Sequence, residues 1–277
     1  MTHGVPLPGT RRVQPAVPAW MIRGMSDIEV RTEITDGVAV LTVSNPARRN
    51  ALNLELSGRL VEAVDAANAN RDVGAIVVTG EPPAFCAGGD LAELQEADPE
   101  TLRRVYSGFL AIAASPLPTL AAVNGAAVGA GINLALACDV RLAGPTARFD
   151  VRFMQLGLHP GGGYTWMAHR ALGAQGNAAM TLFGDVLDAR DAERVGLAWR
   201  AYDTDEDLRA GAMELAGRAA AAPRDLITTT KATMRVTSRL DAHADATDIE
   251  VRAQAETVHT EAFAERVAAL QKKISKK

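Results

Sequence analysis

The sequence predicts an α/β domain containing parallel strand pairs, followed by a C-terminal α-helical module. Short apolar runs of buried-strand type alternate with segments of helical periodicity, the pattern of a sheet covered by helices. Two glycine-rich loops each follow such a strand. Phe85-Cys86-Ala87-Gly88-Gly89-Asp90 comes after Ala75-Ile76-Val77-Val78-Thr79, and Val123-Asn124-Gly125-Ala126-Ala127-Val128-Gly129-Ala130-Gly131 comes after Thr119-Leu120-Ala121-Ala122. From Asp205 onward the pattern turns helical to the end.

Taken in order, Ile28 to Ser44 predicts a hairpin, with Asp36-Gly37 as its turn between two β-rich runs. Asn45 to Asn50 is a polar loop. A helix follows, with Leu56, Leu60, Val61 and Val64 on one face. After the strand at Ala75–Thr79 and the first glycine loop, Pro99 opens a helix over Glu100–Ala114, which Pro116 and Pro118 end. The second glycine loop leads into a small-residue helix, Gly129–Ala137, and Val140-Arg141-Leu142 forms another short strand. Pro223 separates two helices beyond Asp205. These features predict a disordered extension over residues 1–25, a core over 26–221 and a helical module over 222–277. Regular patterning begins right after Met25, a candidate start. The module's apolar positions (Ile227, Met234, Val258, Phe263, Val267, Leu270) need a partner surface, either on their own domain or through helix exchange in an oligomer.

Composition narrows the function. The 277 residues are 48% hydrophobic, ample for a buried core, and the net charge of −4 gives no basis for binding nucleic acid or an anionic membrane surface. No apolar run is long enough to span a bilayer, and residues 1–24 hold no stretch of signal-peptide length. Two cysteines, Cys86 and Cys138, fit a reducing, cytoplasmic compartment better than a disulfide scaffold. Cys86 beside a glycine loop is a possible nucleophile, although a small buried filler accounts for it better. The five histidines are scattered, so no metal site is expected. Both glycine loops leave backbone N–H groups bare where a strand gives way to a helix. Such groups suit an oxygen that becomes negative, and two of them converging make an oxyanion hole.

Several stretches together resemble the enoyl-CoA hydratase/isomerase (crotonase) superfamily. They are Arg49-Asn50-Ala51-Leu52-Asn53, Ala84–Leu91, the second glycine loop, Cys138-Asp139-Val140-Arg141, Gly157-Leu158-His159-Pro160-Gly161-Gly162-Gly163, Leu187–Ala192, and Glu261-Ala262-Phe263-x-Glu265-x-Val267. They run in order from about Ser26 to Lys273. The resemblance implies a core of repeated ββα turns, a C-terminal helical module, and trimers often paired into hexamers. It implies an acyl-CoA ligand with no separate cofactor. Its thioester oxygen would be held by the N–H groups of Gly89 and Ala130, the latter standing where the family usually has glycine. Ala51, Ala87, Asp90 and Leu91 match positions whose backbone lines the CoA adenine. Arg49, Phe263 and Lys273 match positions near the CoA phosphates or adenine, with a solvated charge the equal alternative for Arg49 and Lys273.

The resemblance also marks what is missing. Family hydratases use two glutamates around one water; the corresponding positions hold Asn133 and Phe153. Asparagine can orient a water but cannot take its proton, and phenylalanine does neither. A related isomerase subgroup has an aspartate where Gly161 stands. Asp150 and His159 are the remaining candidates to carry a proton. Asp150 is equally readable as a cap or a partner of Arg152, His159 as a structural loop residue, and Tyr164 as a donor or a core side chain. Three readings stand: an acyl-CoA enzyme without the two-glutamate mechanism, a non-catalytic acyl-CoA binding protein, and an ordinary hydratase, against which Asn133 and Phe153 argue.

Overall fold

The computed structural model describes Met1 and residues 28–275. The extension expected over residues 1–25 lies, Met1 apart, outside the described residues, as do Lys276 and Lys277. Strands β1 (Glu29–Thr35) and β2 (Val38–Ser44) form the expected antiparallel hairpin. Asp36 and Gly37 turn it with φ of 49° and 77°, the pair of positive values that matches the twist of the flanking strands.

Helix α1 (Leu54–Ala69) begins at Asn53, whose side chain accepts the Leu56 N–H at 2.8 Å. Then come β3 (Ala75–Gly80), β4 (Ala84–Cys86), a short α2 (Leu91–Gln95) and α3 (Pro99–Ala114), followed by β5 (Thr119–Val123), β6 (Ala126–Val128) and α4 (Ala130–Leu136). The next turn of chain gives β7 (Val140–Ala143), β8 (Arg148–Asp150) and α5 (Tyr164–Leu182). Elements β9 (Leu187–Asp188), α6 (Ala189–Arg194), β10 (Arg200–Ala201) and α7 (Asp205–Ala220) complete the α/β part. Helices α8 (Arg224–Thr237), α9 (His243–Thr257) and α10 (Glu261–Ile274) end it.

Two sheets result, ordered β1-β2-β3-β5-β7-β10 and β4-β6-β8-β9. Apart from the β1–β2 and β8–β9 pairs, the pairings are parallel. Each turn of chain places one strand in the larger sheet and the next in the smaller one, then returns through helix: β3 and β4, β5 and β6, β7 and β8. Alternation along the larger sheet feeds two cores. Ile76 and Val78 join Leu56, Leu60, Val105 and Phe109 under α1 and α3, while Ala75 and Val77 join Leu208, Ala212 and Ala216 of α7 on the opposite face. The three-residue strands correct the reading of Phe85 and Cys86 as loop, since both belong to β4. A strand that short and fully buried shows no alternation.

The turns pack so closely that backbone meets backbone. Gly131, in the first turn of α4, lies against Cys86 at the end of β4. A Cβ at residue 131 would overlap the Cys86 carbonyl oxygen and lie 2.9 Å from its carbonyl carbon. The two glycine loops are thereby pressed together.

Helix α8 is tied to the core by cations on carbonyl oxygens. The buried Lys231 places Nζ 2.6 Å from both the Leu117 carbonyl oxygen and Asp139 Oδ2. Asp139 also accepts the Thr119 N–H at 2.8 Å. Burial lowers the Lys231 pKa, against the opposing pull of Asp139. Arg235 donates to the carbonyl oxygens of Ala113 and Ser115. Helices α9 and α10 bury none of their residues fully. Among the described residues, no helix is long and apolar enough to cross a membrane.

Gly131→Ala must separate the two loops and is expected to cost about 2–3 kcal/mol, a fall of roughly 5–10 °C in Tm for a chain of this size; an unchanged melting curve would refute the tight packing. Lys231→Met keeps the aliphatic stem but orphans the Leu117 carbonyl, for an expected loss of about 1–3 kcal/mol in urea titration.

Candidate functional site

The first glycine loop is stitched to the segment before α1. Ala87 N–H donates to the Arg49 carbonyl at 3.0 Å, Leu52 N–H to Gly88 at 2.7 Å, and Asp90 N–H to Leu52 at 2.8 Å. This parallel bridge uses the amides on either side of Gly89. The Gly89 N–H takes no bond in it and faces away. Asn50 anchors the arrangement: fully buried at φ 62°, its Nδ2 donates to the carbonyl oxygens of Glu81 and Ala84 at 2.7 and 2.8 Å. Asp90 caps α2 by accepting the Ala92 N–H at 2.9 Å, and its Oδ2 lies 3.8 Å from Arg48 Nε.

The second loop works differently. Gly129 N–H donates to the Asp150 carbonyl at 2.9 Å, continuing the pairing of β6 with β8. Gly129 then takes φ 51° and ψ −113°, a conformation open to glycine, and turns the chain into α4. Ala130 is the first helical residue, so its N–H has no partner within the helix.

Gly89 and Ala130 line one cavity of about 190 Å³. Its walls include Ala87, Leu94, Asn133, Phe153 and Leu158, and Leu91 stands exposed at its edge. Tyr106 of α3 and Arg152 bring the wall's titratable side chains. The buried Asn133 donates through Nδ2 to the Gly161 carbonyl at 2.9 Å, which leaves Oδ1 buried without a partner. Phe153 is 8% exposed; its ring centroid lies 5.7 Å from that of Tyr164, and it borders Gly129. The structure thus brings Gly89, Ala130, Asn133 and Phe153 together, as the sequence motifs implied.

Other predicted residues fall elsewhere. Asp150 is 2% exposed and lies behind the wall; Oδ2 pairs with Arg152 Nη2, and Oδ1 has no partner. His159 is exposed, with Nδ1 2.7 Å from the Pro160 carbonyl oxygen, and does not line the cavity. Its loop turns the side chain to solvent at the residue before Pro160. Tyr164 is in the core, accepting from Thr181 Oγ1 at 3.3 Å. Ala51 is buried and its carbonyl accepts from Asn45 Nδ2 at 3.1 Å, while the Arg49 side chain is exposed. Phe263 and Lys273 are exposed on α10, away from the cavity. Burial pushes the Cys86 thiol up to about 12, so it stays protonated near neutral pH and serves as packing. Tyr106 and Arg152 were missed as wall residues. Tyr106 falls in an ordinary helical stretch, and only tertiary packing turns it inward.

The family described as Enoyl-CoA hydratase/isomerase matches residues 33–275. A Mycobacterium tuberculosis protein named probable enoyl-CoA hydratase EchA14 is 50% identical over 244 residues, covering 84% of this chain and 94% of that protein. The 2,3-dehydroadipyl-CoA hydratase of Escherichia coli is 39% identical, over 66% of this chain and 72% of its own length. The crystal structure of a Mycobacterium abscessus protein named putative enoyl-CoA hydratase/isomerase superposes with a TM-score of 0.82 at 32% identity, covering 88% of this chain and 96% of that one. With a family match across nearly the whole described length, and relatives up to 50% identical over most of it, the chain belongs to the enoyl-CoA hydratase/isomerase family.

Proposed function

We propose that this protein acts on an acyl-CoA thioester, whose carbonyl oxygen is held between the N–H groups of Gly89 and Ala130, by a route that does not use two glutamates. The observation that carries this reading is the pair of unengaged backbone N–H groups on one cavity wall. Fixed donors of this kind stabilise the charge that develops on a thioester oxygen as an enolate or tetrahedral anion forms, and each contributes about 10²–10³ in rate. The names of the relatives, hydratases and an isomerase of CoA thioesters, support the substrate class.

The side chains support the departure from the two-glutamate route. Asn133 offers an acceptor for a hydroxyl or a water but no base, and Phe153 makes its part of the wall apolar. Asp150 is a positioning residue in this reading: it holds the Arg152 guanidinium at the wall. His159 takes no part. The CoA nucleotide follows the backbone at Ala51, Ala87, Asp90 and Leu91, with Arg49 beside it. Phe263 and Lys273 meet it only from α10. The exposed apolar side chains Val251, Phe263, Leu270 and Ile274 on α9 and α10 fit assembly into a homotrimer or a dimer of trimers. A second reading, an acyl-CoA binding protein without turnover, is favoured by one observation: among the described residues lining the cavity there is no carboxylate and no imidazole.

Ala130→Pro removes the donor at a helix position that accepts proline, whereas Ala130→Gly keeps it. The proline variant is expected to lose about 10²-fold or more in turnover, or in acyl-CoA affinity if there is no turnover; equal behaviour of the two variants sinks the oxyanion assignment. Binding itself is checked by the rise in Tm with butyryl-CoA or crotonyl-CoA. Each general acid–base group contributes about 10²–10⁴. The wild-type chain should therefore hydrate crotonyl-CoA at least about 10²-fold more slowly than a relative with both glutamates, assayed side by side.

A further inference from the structure

Tyr106 stands out among the side chains of the cavity wall. Its hydroxyl sits directly over Gly161, so closely that a Cβ on residue 161 would overlap it. Gly161 is in turn held by the Asn133 side-chain amide at 2.9 Å. Tyr106, Gly161 and Asn133 therefore form one patch of wall facing the same cavity as Gly89 and Ala130. The ring is fixed from behind by Phe109, with centroids 5.5 Å apart at 38°. The hydroxyl makes no hydrogen bond among the described residues. It is also the only O–H group among the described side chains lining this cavity.

We propose that Tyr106 is the proton donor of this site, delivering the proton of its Oη to the α-carbon of an acyl-CoA enolate whose thioester oxygen is held by Gly89 and Ala130. In this step the O–H bond of Tyr106 breaks and a C–H bond forms at the α-carbon. The negative charge passes from the enolate to the phenolate, which then recovers a proton from water. The proposal rests on the acyl-CoA reading above and adds the group that moves the proton. It also restricts the chemistry. A phenol kept protonated at neutral pH gives a proton readily but takes one poorly, so the enolate must arise by bond cleavage or addition rather than by loss of an α-proton to this residue. Burial raises the Tyr106 pKa above its ordinary value, which suits a donor.

On its own helix, Arg103 and Arg104 precede it within one turn and are exposed. Arg152 shares the wall, with Asp150 paired behind it. Glu93 on neighbouring α2 is engaged with the Leu54 N–H at 3.0 Å, and His159 on the facing loop is exposed.

The test follows hydrogen–deuterium exchange at the α-carbon of butyryl-CoA in deuterated buffer by mass spectrometry. By microscopic reversibility, the small tyrosinate fraction returns the proton transfer in the opposite direction. Wild-type exchange is expected to rise about tenfold per pH unit over pH 7–9, as the tyrosinate fraction grows. Tyr106→Phe, which keeps the ring against Phe109, is expected to lower it by about 10²-fold or more while the Tm rise with butyryl-CoA persists. Exchange by Tyr106→Phe at the wild-type rate overturns the proposal. So does wild-type exchange that is absent or independent of pH while binding persists. Failure of both proteins to bind any CoA thioester overturns instead the acyl-CoA reading on which the proposal stands. If Tyr106→Phe does not fold, the wild-type pH profile alone decides between support and refutation.

Discussion

The close approach of Gly131 to the Cys86 carbonyl is the contact on which the site depends. It joins the end of β4 to the start of α4, elements separated in sequence by α2, α3, β5 and β6. With no side chain between them, the two backbones touch. The loop on each side then has little freedom. Three hydrogen bonds to the segment 49–52 fix the orientation of Gly89, and the left-handed turn at Gly129 fixes that of Ala130. Neither donor is part of a flexible surface loop. Both are preorganised by strand pairing and helix initiation, so under the proposed function little reorganisation would be required as charge develops on a bound oxygen.

Around those donors the wall is mostly apolar, and this gives the donors their strength. A hydrogen bond to a developing anion gains as water is excluded and the local dielectric falls. Phe153 contributes to that exclusion where a carboxylate would have attracted water. The same apolar setting raises the phenol of Tyr106 towards its neutral form. The cavity thus favours groups that hold or give a proton and disfavours a buried anionic base.

Much of this was legible in the chain. The hairpin was written in Asp36-Gly37, the helix at 54 in its apolar face, the helix at 99 in Pro99, and the N–H groups of the proposed oxyanion hole in the glycine loops. What stayed hidden has physical reasons. Strands β4, β6 and β8 have three residues each and are largely buried, so period-2 alternation has no room to show. The family resemblance implied repeated ββα turns but did not place these strands, and Phe85 and Cys86 were read as loop. Tyr106 sits three residues before Phe109 on an amphipathic helix, and its sequence neighbours mark it only as part of an inward face. Nothing local distinguishes a tyrosine that fills the core, as Tyr164 does, from one whose hydroxyl reaches a cavity. The proximity of Asp150 and His159 to the motif was equally uninformative, because one side chain turns behind the wall and the other to solvent.

The segment from Asp150 to Phe153 shows how tightly these outcomes are linked. Arg152 adopts φ 54°, a left-handed conformation uncommon for a side-chain-bearing residue. The bend is held by the Phe153 N–H on the Val151 carbonyl at 2.8 Å and the Leu156 N–H on the Arg152 carbonyl at 3.2 Å. It is this bend that sends Phe153 into the cavity wall while Asp150 stays at the end of β8, nearly without exposure. Left alone, a carboxylate so buried would be strongly unfavourable, and one of its oxygens already lacks a partner. The half-exposed Arg152 guanidinium compensates the other oxygen and is thereby fixed at the wall. An apolar ring, a buried anion and a cavity-facing cation are therefore one conformational solution rather than three independent substitutions. A carboxylate introduced at residue 153 would add a second anion three residues from Asp150 and next to the arginine that Asp150 already engages. The charge balance of this segment thus opposes a carboxylate at residue 153, independently of what Asn133 can do.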